Sequence, residues 1–224
     1  VIYGYRKDQQ VEVDAMAQAI LDAMDALIKL PQQVTNVQAD VVDYKTIQLT
    51  WDAQADVTYI IERLSGEEWI EVGQTSESTY TVTGVKTGKE YTYRITATKV
   101  IENENVYAIP SEVASATPML SGEVELSIAP NGTTKFDLTW TAVDGATRYI
   151  VYRKSSDSEW KKILTLGKDA RSYTSKDMKP NTYQYMVKAA RYDSVERVQT
   201  NGSNVVEGIV GAAEMKPTNT KVEV

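Results

Sequence analysis

Ile47-Gln48-Leu49-Thr50-Trp51 and Phe136-Asp137-Leu138-Thr139-Trp140 are one pattern written twice: apolar and polar residues alternate and the run closes on tryptophan. Further along, Tyr91-Thr92-Tyr93-Arg94-Ile95-Thr96-Ala97 is answered by Tyr183-Gln184-Tyr185-Met186-Val187-Lys188-Ala189. The offset is 89 residues between Trp51 and Trp140 and 92 between Tyr91 and Tyr183. A repeat of that length is a domain, because solenoid repeats have periods of about 20–50 residues. Alternation at period two places Ile47, Leu49 and Trp51 on one face of a strand and Gln48 and Thr50 on the other. Half-buried antiparallel strands have this pattern, and all-parallel strands do not.

Working outward, strand signals recur at short, regular spacing. In the first copy they fall at 34–39, 46–51, 58–63, 69–73, 79–83, 90–99 and 111–116. In the second they fall at 123–128, 135–140, 148–153, 160–164, 171–175, 183–190 and 203–209. Turn chemistry separates them at Asn131-Gly132, Asp144-Gly145, Lys179-Pro180-Asn181 and Asn201-Gly202. Seven short strands in each copy, with no helix between them, indicate an immunoglobulin-like sandwich. Ahead of both copies, Val13, Ala17, Ile20, Met24 and Leu27 recur at helical spacing, predicting one amphipathic helix over 11–29 that stops before Pro31. The fold class is therefore mainly β, two tandem sandwiches preceded by one helix. Residues 1–30 form the helical segment, 31–118 and 121–210 the two domains, and 211–224 a linker or the start of a further strand.

Composition narrows the chemistry. The chain has 224 residues and contains neither cysteine nor histidine. It therefore has no disulfide framework, no thiolate, and none of the commonest general base and transition-metal ligand. The net charge is −7, and residues 31–118 hold six Lys/Arg against thirteen Asp/Glu. That balance argues against nucleic acid, whose phosphates call for a clustered basic surface. No apolar run is long enough to insert in a bilayer. Fourteen tyrosines and four tryptophans stand against one phenylalanine, Phe136; such residues suit half-buried sheet positions with a polar tip.

Both copies resemble fibronectin type III domains, over residues 31–210. The resemblance is carried by Trp51 and Trp140 closing the second strand and by Tyr59 and Tyr149 opening the third. It is also carried by the turns Val85-Lys86-Thr87-Gly88-Lys89-Glu90-Tyr91 and Met178-Lys179-Pro180-Asn181-Thr182-Tyr183, which stand where the family has Leu-x-Pro-Gly-x-x-Tyr. The run from Trp140 to Tyr149 is similar to that of bacterial members appended to extracellular glycosidases and adhesins. The helix, in its Ala/Asp/Leu text from Glu12 to Leu27, is similar to the closing helix of FIVAR modules. These resemblances imply a secreted or cell-surface context and a non-catalytic role. The role they imply is a spacer that orients flanking domains of the same polypeptide, with no cofactor. The alternative is an adhesion or carbohydrate-binding module that contacts a cell-surface glycan or protein.

Candidate binding residues lie where sandwiches leave surface to use. Trp69 and Trp160 each follow an acidic turn on a short fourth strand, where an exposed ring would stack on a sugar and an inward one would cover the third strand. Arg148, Arg153, Lys154, Lys161 and Lys162 concentrate positive charge on adjoining strands. Alternation separates Arg148 and Lys154 from Arg153. The stretches 100–110 and 191–203 are expected to be the longest loops of their copies, and loops of this kind carry contacts. Tyr91 and Tyr183 are expected to bond their hydroxyls to the backbone of the preceding turn. Asp40/Asp43, Asp52/Asp56 and Glu67/Glu68 lack the spacing of a calcium loop and the cleft of a glycosidase, which leaves them as solvated loop acids.

Overall fold

A computed structural model describes residues 7–28, 30–192, 197–211 and 217–218, and the chain divides into two compact units. The helix α1 (Lys7–Ile28) starts four residues before its predicted boundary. Its described side chains, Gln10 to Met24, are all exposed, including the apolar Val13, Met16, Ile20 and Met24.

The first sandwich pairs two sheets. One contains β1 (Gln38–Asp43), β2 (Thr46–Thr50) and β5 (Thr79–Thr83) in the order β1-β2-β5. The other contains β3 (Thr58–Ser65), β4 (Glu68–Thr75), β6 (Tyr91–Ile101) and β7 (Glu104–Tyr107) in the order β4-β3-β6-β7, with β8 (Ala114–Ala116) also on β6. The second sandwich repeats the plan. Its smaller sheet runs β13-β10-β9, from β9 (Leu126–Asn131), β10 (Lys135–Trp140) and β13 (Ser172–Thr174). Its larger sheet begins with β11 (Arg148–Ser155), β12 (Lys161–Gly167) and β14 (Asn181–Tyr192) in the order β12-β11-β14. Beyond them lie β15 (Arg197–Gln199), on β14, and β16 (Val206–Val210), whose outer side takes β17 (Pro217–Thr218). In both copies the fourth strand joins the third, which gives a three-strand sheet facing a larger one.

The alternation that signals the strands also fills the cores. Ile47, Leu49, Tyr59, Ile61, Tyr93 and Ile95 are fully buried in the first copy, as are Phe136, Leu138, Tyr149, Val151, Tyr185 and Val187 in the second. Burying each large apolar side chain contributes about 1.5–3 kcal/mol. Trp51 meets Tyr59 edge-on with ring centroids 5.1 Å apart, and Trp140 lies 6.0 Å from Tyr149. Each tyrosine then closes its own turn: the Gln54 N–H donates to the Tyr59 hydroxyl (2.6 Å) and the Val143 N–H to that of Tyr149 (2.9 Å). Phe136 packs against Gly208, where a methyl group would stand 2.5 Å from its ring.

Expectations of two kinds need correction, the starts of the first strands and the nature of two long connections. The first strand of each copy begins later than its apolar alternation suggests, at Gln38 rather than 34 and at Leu126 rather than 123. Val34 and Val124 are each 2 % exposed but plug the interior from irregular chain. At Asn36 the backbone takes a left-handed φ of 54°, which ends any extended run. The side chains of Thr35 and Asn36 both donate to the Asp52 carboxylate there.

The stretches 100–110 and 191–203 are not free loops. In the first copy β6 runs on to Ile101 and turns back into β7 through Glu102-Asn103, both at positive φ (53° and 68°). That pair of angles is the two-residue type I′ hairpin. In the second copy Ala190, Arg191 and Tyr192 pair with Gln199, Val198 and Arg197, while residues 193–196 lie outside the described residues. Of the C-terminal stretch, Gly208 and Glu207 pair with Pro217 and Thr218; residues 212–216 and 219–224 are outside the described residues, as are 1–6 at the other end.

Candidate functional site

Because directly paired residues share a face, the strand registers sort the candidates. Tyr59, Ile61 and Arg63 of β3 point with Ala97, Ile95 and Tyr93 of β6 into the first sandwich, and Glu62 points with Arg94 to the outside. There Arg94 grips Glu62 with two charge-assisted bonds, Nε to Oε2 at 2.7 Å and Nη2 to Oε1 at 2.9 Å. The bond to Glu62 holds the guanidinium pKa above its ordinary value. Trp69 is half-buried with the Arg94 guanidinium 4.4 Å from its ring centroid. Its ring therefore caps an ion pair on the sheet, a contact worth about 0.5–1 kcal/mol at an exposed site.

Trp160 stands at the matching place in the second copy, where Tyr152 and Met186 replace the ion pair; its neighbour is Lys154, with Nζ 5.2 Å from the ring centroid. Arg148 and Lys154 share the outer face of β11, paired with Ala190 and Gln184 respectively. Six residues of strand separate them by about 20 Å, so they do not form one site. Arg148 is exposed and donates to the Thr147 carbonyl (2.9 Å).

Arg153 points the other way. Its guanidinium lies 5.4 Å from the ring centroid of Tyr183 and donates to the Met178 sulfur (3.0 Å). Arg63 lies 5.7 Å from the ring centroid of Tyr91 in the first copy. Arginine over the corner tyrosine is thus a device of both sandwiches. The Tyr183 hydroxyl donates to the Lys179 carbonyl (3.0 Å), the bond predicted for a corner tyrosine. Around Arg153, the chain forms a concavity of about 410 Å³, lined also by Lys154, Ser155, Lys161, Lys162 and Tyr183.

Sequence reasoning missed a pair of buried serines. The Ser111 hydroxyl accepts the Ile95 N–H (3.0 Å) and donates to the Glu112 carbonyl (2.7 Å). Ninety-two residues later the Ser203 hydroxyl accepts the Val187 N–H (2.9 Å) and donates to the Asn204 carbonyl (2.7 Å). Each sits where the last strand of the sheet is interrupted, between β7 and β8 or between β15 and β16, and replaces a missing ladder bond. The signal was present as Ser111-Glu112-Val113 against Ser203-Asn204-Val205, at the same offset as the tyrosines.

Three of the candidate acids, Asp43, Asp52 and Asp56, are bonded locally. Asp43 accepts from the Lys45 N–H (2.7 Å) and the Thr46 hydroxyl (3.0 Å), and Asp56 pairs with Lys99 at 3.6 Å. Among the described residues no group of three or more Asp or Glu is gathered as a metal would need. Burial pushes the Tyr93 hydroxyl up to about 12, and its oxygen has no hydrogen-bond partner among the described residues. A phenol held so high stays protonated at neutral pH and is no base. The indole N–H groups of Trp51 and Trp140 are likewise buried without a partner among the described residues.

Residues 42–106 match a family model described as a PBP1-like, fibronectin3-like domain. Among solved structures, the chain is similar to a two fibronectin type-III domain segment from chicken tenascin, at 12 % identity. That match covers 83 % of this chain and 99 % of the other, with a TM-score of 0.49. A structure of chicken CNTN1 FN1–FN3 domains matches at 13 % identity over 80 % of this chain and 65 % of the other (TM-score 0.38). One titled "Structure of FN3tt mut" matches at 22 % identity over 40 % and 97 % (TM-score 0.35). With a three-strand sheet facing a larger one in each copy, the chain folds as two tandem sandwiches that resemble fibronectin type III domains. No helix among the described residues is long and apolar enough to cross a membrane.

Proposed function

We propose that this chain is a non-catalytic spacer and scaffold region of a larger bacterial secreted or cell-surface protein. Its two domains, 31–118 and 121–210, set the distance and orientation of flanking catalytic or binding domains of the same polypeptide. One observation carries the reading: the distinctive chemistry that recurs in both copies is bonded inside its own sandwich. The tryptophan–tyrosine pairs, the arginines over Tyr91 and Tyr183 and the two serine clips all hold sheets together. Duplicated side chains directed inward support length and order rather than reaction chemistry. The exposed apolar stripe of α1 supports a packing partner for the helix outside its own surface.

Because the chain has no cysteine, two can be introduced cleanly for dye labelling. Glu67→Cys and Asp157→Cys place them in equivalent exposed turns, after β3 and after β11. A spacer predicts a single narrow distribution of single-molecule transfer efficiency between these dyes. A broad distribution, as two domains on a free tether would give, overturns the proposal.

A further inference from the structure

We infer that the concavity at the β11–β12 end of the second sandwich is a binding site for an acidic saccharide. The argument comes from comparing the two copies at matched positions. In the first, Arg63 pairs with Ile70 and Glu62 with Glu71, with Val72 passed over as a bulge. In the second, Arg153 pairs with Lys161 and Tyr152 with Lys162, with Ile163 passed over in the same way. The registers therefore equate Lys161 with Ile70, Lys162 with Glu71, and Lys154 with Leu64. Where the first copy places Arg63, Leu64, Ile70 and Glu71, one cation and one anion, the second places four cations.

The fold does not require the three lysines, since the first copy builds the same strands with Leu, Ile and Glu. Protection of the edge strand does not require them either, because charge of either sign serves and β4 uses Glu68 and Glu71. Among the described residues none of the three lysines is ion-paired, and the acids Glu159 and Glu207 line the adjoining hollow, which shares Lys154, Ser155 and Ser158, rather than this one. By register Lys154 and Lys162 lie on the outer face and Arg153 and Lys161 on the inner one. The concavity thus gathers the four cations from both faces at one strand end, where an anion would relieve their repulsion.

The volume, about 410 Å³, falls in the range of about 300–1,000 Å³ typical of small-ligand sites and exceeds the needs of one small anion. The Ser155 and Ser158 hydroxyls, 2.9 Å apart, add polar groups of the kind that sugars meet. Single-stranded nucleic acid is recognised largely by stacking bases on aromatic faces. Here Arg153 lies over Tyr183 and Lys154 beside Trp160. With a cation already seated on Tyr183, the one aromatic ring that lines the concavity, charge and hydroxyl contacts favour an acidic sugar over a nucleic acid.

Titration calorimetry on the whole chain at low salt tests the assignment, with a tetragalacturonate, a sulfated dextran oligomer, neutral dextran of equal length, a single-stranded DNA oligomer and inorganic phosphate. At least one acidic saccharide should bind, weakening as salt rises, and neutral dextran should not. The substitution Lys154→Leu/Lys161→Ile/Lys162→Glu installs the residues of the first copy and should weaken binding at least about tenfold, with the thermal unfolding transition preserved. The inference is overturned if neither acidic saccharide binds, if phosphate or DNA binds as tightly as the saccharide, or if the triple substitution binds unchanged. These outcomes are independent of the dye-distance distribution that tests the spacer role.

Discussion

Replacing Ser203 with alanine removes one oxygen and should cost the second sandwich about 2 kcal/mol. Val187 is fully buried, and its N–H has the Ser203 hydroxyl as acceptor at 2.9 Å. Ser203 is 8 % exposed, so water has little access to replace the lost oxygen. Leaving a buried donor unsatisfied costs about 1–3 kcal/mol. The other lost bond, to the Asn204 carbonyl, costs less because Asn204 is half-buried and its carbonyl can find water. The Ser203 N–H still reaches the Val187 carbonyl (2.9 Å), so the strand stays in place and the loss is local. For a domain of this size, about 2 kcal/mol lowers the melting temperature by roughly 8–16 °C. Thermal unfolding measures the total, and amide exchange reports the cause, since protection at Val187 should fall further than at Tyr185. Ser111→Ala should reproduce the effect in the first sandwich through Ile95. A loss below about 0.5 kcal/mol in both variants, or unchanged relative protection at Val187, would refute the reasoning.

Gly208→Ala should destabilise the second sandwich by about 1–3 kcal/mol, because the new methyl group meets the Phe136 ring at 2.5 Å in a filled core; urea denaturation checks it, with Gly167→Ala, whose Cβ site is open, as the mild comparison. Acid should weaken the same sandwich. Asn131 and Thr174 donate to Asp137, and their bonds hold its carboxyl below the ordinary 3.8. A pKa lower in the folded than in the unfolded state means the stabilisation is present above that value and lost as pH falls through the folded one. Melting temperatures between about pH 2 and 6 should therefore fall at the acid end, and Asp137→Asn should flatten the slope. Asp177, lowered chiefly by the Thr134 hydroxyl, acts in the same direction and is left in place by that substitution.

Period-two alternation is a strong signal when both faces of a strand have fixed fates, and β2, β5 and β10 lie where that alternation places them. It fails where an apolar residue plugs the core from irregular chain, as Val34 and Val124 do. It also misses the Glu102-Asn103 hairpin, because neither residue is the glycine that announces a type I′ turn. The candidate site was legible one residue at a time. Arg148, Arg153 and Lys154 could be assigned to faces by counting, but Trp69 could not be assigned to Arg94. Those residues lie 25 apart in sequence and meet only because β6 runs beside β3 with Glu62 opposite Arg94. Partners brought together by sheet order leave no trace in local sequence.

The buried indole N–H groups of Trp51 and Trp140, which have no partner among the described residues, have an optical consequence. An indole sealed in an apolar interior and making no hydrogen bond relaxes little after excitation, so it emits to the blue of one in water. Each sandwich holds one such buried ring, and a second, half-buried tryptophan beside a cation at its surface. Loss of the blue component therefore reports opening of an interior, while the surface ring responds to the charge around it. Retaining a single interior tryptophan makes the colour of its light specific to one sandwich.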